Sequence, residues 1–246
     1  MNWAILSGIE GNLAAYEAVL SDIHRQNNSV ENLYIIGDVV GPHPDCDRLV
    51  KRIINPRSGE RQPQVCQGWW EEQCLILHGL GRTGEPTQLI EGFGYPTVKL
   101  LWDSVSRSTL QWIRSLEFGF LELDCLLIHG STLGVDDEIT PDTSPLVILD
   151  RLMRIGANSL FCGRSGLTFQ YQIESAAVRD TLASLNRSEA ESTVMQTNPR
   201  QAIGVGRVGR IPGQATYTLF NPNSGGIEFK TVYYGPRKGF SSPLVA

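Results

Sequence analysis

The sequence predicts an α/β fold, and three observations carry that prediction. Short apolar runs such as Trp3-Ala4-Ile5-Leu6 and Leu33-Tyr34-Ile35-Ile36 end at glycine and polar residues, as strands do. Between those two runs, Leu13, Tyr16, Val19, Leu20 and Ile23 recur at helical spacing. Further along, one apolar run after another stops at a short loop carrying Gly8, Asp38, Gly68, His129 or Arg164. A strand, a helix and a second strand form a βαβ unit with parallel strands, and the carboxyl ends of such strands build a crevice. Loops far apart in sequence are therefore expected to converge on one site.

The elements follow in order. After the first strand, Asn12 is placed to cap the first helix. A second helix is expected over Asp47 to Ile54, closed by Asn55-Pro56, and Val65-Cys66 is a short strand. Glu72 to Pro96 reads as loop, with many glycines, and Thr97 to Leu116 as mostly helical. Leu123 to Ile128 reads as a strand, Pro145 to Ile155 as a helix and Leu160-Phe161-Cys162 as a strand. Phe169 to Ile173 opens a hairpin region. Ala202 to Val205, Ala215 to Phe220 and Ile227 to Tyr234 are strand-like, with a turn over Asn221 to Gly226. The stretch 175–199 is rich in Ala, Ser, Glu and Asn and reads as a polar insertion within a single domain spanning 1–246.

Composition narrows the function classes. Hydrophobic residues make up 41% of the 246-residue chain and charged ones 19%, enough apolar content for a sizeable core. A formal net charge of -5 without a basic block argues against non-specific nucleic-acid binding. The 5 cysteines (Cys46, Cys66, Cys74, Cys125 and Cys162) are widely spaced and form no CxxC pair, which fits free thiols in a reducing compartment. No run is apolar enough to span a membrane and no signal peptide is evident, so the cytoplasm is the expected location. A protein partner and a homo-oligomer both remain open.

The strand-end loops also carry a resemblance. Ile5-Leu6-Ser7-Gly8-Ile9-Glu10-Gly11-Asn12-Leu13 resembles I-L-S-D-I-H-G-N-L, and Ile36-Gly37-Asp38-Val39-Val40-Gly41 resembles L-G-D-V-V-G. Gly68-Trp69-Trp70-Glu71 stands where G-N-H-D/E is expected, Leu127-Ile128-His129-Gly130-Ser131 resembles V-H-G-S, and Cys162-Gly163-Arg164-Ser165-Gly166 stands where G-H-T-H is expected. Gly204 to Gly209 with Ala215-Thr216-Tyr217 resembles N-P-G-S-V-G followed by A-S-Y. In this order the blocks are similar to those of the calcineurin-like metallophosphoesterases. The resemblance implies a four-layer sandwich of two facing mixed β-sheets flanked by helices, with a two-metal site for phosphate-ester hydrolysis at one end.

The resemblance also implies that most metal ligands are gone. Asp38, at the bridging position, and His129 are retained, and Glu10 replaces a His but still offers oxygen. Gly8, Trp69, Trp70, Arg164 and Gly166 replace ligands with residues that cannot serve, since a guanidinium has no lone pair to give. Glu71 keeps the acidic character of its slot. The expected protein is a catalytically impaired relative acting as a binding or regulatory module, with no cofactor. One alternative is a phosphoesterase with a single Mn, Fe or Zn ion on Asp38, His129 and Glu10. Another is a metal-free phosphate or nucleotide sensor with Arg164 as the anion-binding group. Arg164 is expected to replace the metal charge by forking onto Asp38, or next onto Glu10, and the two indoles to fill the vacated space. The GxGxxG at Gly204 to Gly209 is set aside because a strand, not a helix, follows it, and no G-x-S-x-G elbow occurs.

Overall fold

The computed structural model describes residues 2–26, 30–81, 85–173 and 199–235. The polar stretch 175–199 therefore lies outside the described residues apart from Pro199.

The first half of the chain runs β1 (Trp3–Leu6), α1 (Leu13–Arg25), β2 (Asn32–Ile36), α2 (Cys46–Ile54), β3 (Gln64–Cys66), α3 (Trp69–Leu77), α4 (Thr87–Ser104) and α5 (Arg107–Arg114). The second half runs β4 (Gly119–Glu122), β5 (Cys125–Ile128), α6 (Pro145–Met153), β6 (Ser159–Cys162), β7 (Thr168–Ile173), β8 (Arg200–Val205), β9 (Gln214–Asn221) and β10 (Gly226–Tyr233). The strands form two mixed sheets, ordered β10-β9-β1-β2-β3 and β4-β5-β6-β8-β7. Within them β1, β2 and β3 are mutually parallel, as are β5, β6 and β8, while β9, β10, β4 and β7 run antiparallel to their neighbours.

Side-chain alternation sets the layers. Trp3, Ile5, Tyr34, Ile36, Cys125, Leu127, Phe161, Ile203, Val205 and Phe220 form the core between the sheets. The opposite face of the first sheet, with Ala4, Leu6, Leu33 and Ile35, packs against apolar residues of α1 through α5. The opposite face of the second sheet, with Leu126, Ile128, Leu160 and Ala202, packs against Ile148 and Leu152 of α6. The result is the expected sandwich of helices, sheet, sheet and helix. All 5 cysteines are buried free thiols. No helix among the described residues is long and apolar enough to cross a membrane.

Two expectations need correction. The stretch from Glu72 to Pro96 is largely helical where it is described. It holds most of α3 and the first half of α4, which bends at Gly94 (φ 75°) just before Tyr95-Pro96. In α3 the residues Trp69, Trp70, Glu71, Gln73, Cys74, Leu75 and Ile76 are all buried, so no polar face marks the helical period. The run 123–128 is not one strand. Leu123 and Asp124 both have positive φ (49° and 63°) and form the two-residue turn of a β4–β5 hairpin, with Glu122 opposite Cys125. A leucine is a poor sequence signal for that left-handed position.

Candidate functional site

The strand ends bring together the residues singled out above. After β1, Gly8 (φ 60°), Glu10 (φ 51°) and Gly11 (φ 79°) turn the chain sharply before Asn12, whose Oδ1 accepts the Ala15 amide and caps α1. The Glu10 amide donates to the Asp38 carbonyl (2.9 Å) and the Gly11 amide to the Val39 carbonyl (2.7 Å), tying this loop to the one after β2. Asp38 itself has φ 55°, so its backbone is held in the left-handed region by those contacts.

Glu71 fixes the same region from below. Its carboxylate accepts the amides of Asp38 (2.8 Å), Val40 (2.8 Å) and Gly68 (2.9 Å), and it is fully buried. Gly68 has to be glycine, because a Cβ there would lie 2.2 Å from the Asp38 amide nitrogen. Burial, with the Asp38 charge added, raises the Glu71 carboxyl to about 7 despite the three amides that favour its charged form. Glu71 thus holds two loops in place.

Asp38 and His129 meet at the centre, both buried. The His129 Nε2 lies 3.3 Å from Asp38 Oδ2, near enough for an ion pair but off the line of a hydrogen bond, so this nitrogen has no hydrogen-bond partner. The Nδ1 sits 2.9 Å from the Ile36 carbonyl, which can only accept, so Nδ1 carries a proton. The Trp70 amide donates to Asp38 Oδ1 (2.8 Å). Burial opposes both charges, but each favours the other. The His129 pKa is raised, and the Asp38 pKa is lowered by His129, the Trp70 amide and Arg164.

The remaining candidates are disposed differently from expectation. Trp69 and Trp70 are buried with ring centroids 4.9 Å apart, and both pack against Phe93. They belong to the helix-side core and offer no open stacking surface. Arg164 does not fork onto Asp38 or Glu10. Its guanidinium lies over the Trp69 ring, 4.5 Å from the centroid, and its buried Nε has no hydrogen-bond partner. A flat guanidinium over an indole face is favourable by itself, which explains why Arg164 is drawn to the ring. Glu10 is claimed instead by Arg210, whose Nε and Nη2 both approach Oε1 (2.8 and 2.6 Å). Burial raises the Glu10 pKa overall, although Arg210 pulls it down.

Two arginines escaped the sequence reading. The loop after β8 lies directly on the loop after β1, through the Val208 amide to the Ser7 carbonyl (3.0 Å) and the Gly209 amide to the Gly8 carbonyl (2.7 Å). This delivers Arg210 to Glu10 and runs Arg207 between Gly8 and Gly166. A Cβ on Gly8 would sit 3.3 Å from Arg207 Cβ, and one on Gly166 would sit 3.2 Å from Arg207 Nε. Arg207 therefore occupies the space beside both glycines. The available signal was a charged residue in a strand-end loop, masked by the glycine pattern around it.

The donors present do not fit a two-metal centre. Asp38 and His129 lie against one another, Glu10 is engaged by Arg210, and Gly8, Trp69, Trp70, Arg164 and Gly166 bring no ligating side-chain atom. Among the described residues no group of three or more His, Cys, Asp or Glu side chains is placed to hold a metal ion.

The two facing mixed sheets, with Asp38 and His129 at their common end, have the fold of the calcineurin-like metallophosphoesterases. A metallophosphoesterase from Sphaerobacter thermophilus superposes with a TM-score of 0.64 at 22% identity, over 96% of this chain and 90% of that one. The hypothetical protein PH1004 from Pyrococcus horikoshii OT3 gives 0.70 at 18% identity, over 95% and 88%. No family model matches the sequence, and no curated protein matches it. At these identities the likeness establishes the fold alone.

Proposed function

We propose that this chain is a catalytically impaired member of the metallophosphoesterase fold that binds a ligand or partner in a binding or regulatory role and does not hydrolyse it. The observation that carries this reading is Arg207, packed against Gly8 and Gly166 where metal ligands would be needed. Phosphate-ester hydrolysis in this fold depends on cations to generate the nucleophile and neutralise charge at phosphorus. A guanidinium supplies charge but cannot lower the pKa of a bound water as a metal does. The buried thiols are in keeping with a reducing, cytoplasmic setting. The test is turnover of an aryl phosphate and an aryl phosphodiester with added manganese. No turnover above that of Asp38→Ala is expected, and Asp38-dependent turnover contradicts the reading.

One observation favours a second reading, a single-metal phosphoesterase. The buried His129 Nε2 without a hydrogen-bond partner, beside Asp38 Oδ2, is a pair of donors facing one point. Saturable binding of one Mn, Fe or Zn ion, lost in His129→Ala, would favour it.

A further inference from the structure

An exposed aromatic surface lies on α4, none of it in a strand-end loop. Beyond the bend at Gly94 this helix buries Leu101 and Ser104 and turns Tyr95, Lys99 and Trp102 outward, at i, i+4 and i+7. Tyr95 is 74% exposed and Trp102 50%. The Trp102 indole is stacked on the His78 ring at the end of α3, with centroids 4.2 Å apart and planes within 4°. The exposed ring is therefore held in place and presented to solvent. Leu77, Tyr95, Pro96, Val98, Lys99 and Trp102 line an open groove of about 610 Å³ whose walls are almost wholly apolar. A contiguous apolar surface of this kind marks an interaction site.

The charges on the same face select its partner. Lys99 pairs with Asp103 one turn further on, and both side chains are exposed. With the base N-terminal to the acid, the pair runs in the less favourable order for a lone helix. It also places a carboxylate in the last turn of α4, at the negative end of the helix dipole, where no basic residue accompanies it. Within one chain an exposed pair of this sort adds little. Yet the two charges stand symmetrically about the level of Leu101, so the face is complementary to its own copy turned end for end.

We propose that this face of α4 is an isologous interface with a second copy of the chain. The two α4 helices pack antiparallel about a two-fold axis level with Leu101, with Lys99 of each copy against Asp103 of the other. The same register brings the two Trp102 side chains together at the axis, as the aromatic anchor of the interface. The proposal stands whether or not the chain is catalytic.

The experiment is sedimentation velocity of the full chain across the micromolar range. A concentration-dependent dimer is expected. Trp102→Glu should weaken it by at least about 30-fold, the scale of a lost aromatic anchor. Lys99→Glu sets acid against acid and Asp103→Lys sets base against base, so each alone should weaken the dimer by about 10-fold or more. Mixing these two variants should restore it, because the introduced acid then meets the introduced base while the remaining Asp103 meets the remaining Lys99. Arg48→Glu, a charge reversal at an exposed arginine on α2, should leave the dimer unchanged. Where Trp102→Glu fails to fold by circular dichroism, the two exposed charge variants decide the matter. A chain monomeric at every concentration leaves the groove to a different partner and overturns the proposal. So does a dimer indifferent to the charge reversals, or a pair of variants that stay apart when mixed.

Discussion

The loops ending the first sheet and those ending the second differ in how their polar groups are matched. In the first sheet, the loops after β1, β2 and β3 satisfy one another. Backbone amides reach across to carbonyls, and the Glu71 carboxylate collects three more amides. In the second sheet, the loops after β6 and β8 place two arginines at the site without carboxylate partners among the described residues. The first-sheet loops are thus tied together through backbone amides, while the second-sheet loops after β6 and β8 bring charged side chains to the same end.

The largest test of that contrast is Glu71→Ala. It leaves three buried amides without an acceptor, each costing about 1–3 kcal/mol when unsatisfied, so a loss of roughly 3–5 kcal/mol is expected by urea unfolding. A near-neutral result would show that Glu71 does not organise the first-sheet loops.

The pH dependence of the wild type sharpens the same point. The Glu71 carboxyl is raised from 4.5 to about 7 in the fold. A raised pKa gives stability that is fully present below 4.5 and is lost as pH rises through about 7. Metal-free protein should therefore become less stable between those values as pH rises, and Glu71→Gln should flatten the trend. Stability that instead climbs across this window in the wild type would contradict the assignment.

The arginines should matter less, and unequally. Arg210→Ala breaks a half-exposed ion pair with Glu10 and should cost about 1 kcal/mol or less. Arg164→Ala removes a contact with Trp69 of similar size, ~1 kcal/mol, not the larger loss that a buried pair with Asp38 would have given. Arg207→Gln should be smallest, within about 0.5 kcal/mol of wild type, because no partner is lost. A destabilisation of Arg207→Gln as large as that of Glu71→Ala would erase the distinction between the two sets of loops.

Much of this was legible in the sequence, for physical reasons. Strand ends at Gly8, Asp38, His129 and Arg164 were visible because apolar runs stop abruptly there. Helix α3 was hidden because burial on nearly every side erases the amphipathic period. The site was legible as a set of positions but not as a set of contacts. Sequence order placed Arg164 beside Asp38 and gave no hint that the Trp69 ring would capture its guanidinium. Arg207 and Arg210 were hidden because their role depends on one loop crossing another, at Gly209 and Gly8, which no local pattern encodes.

The proposed loss of catalysis requires that arginine, and not a metal ion, supplies the positive charge beside Asp38. Its most direct test is elemental analysis of full-length protein incubated with manganese and zinc and then desalted. The account predicts no stoichiometric metal in the wild type and no difference between wild type and Asp38→Asn. One or two equivalents per chain, lost in Asp38→Asn, would contradict it.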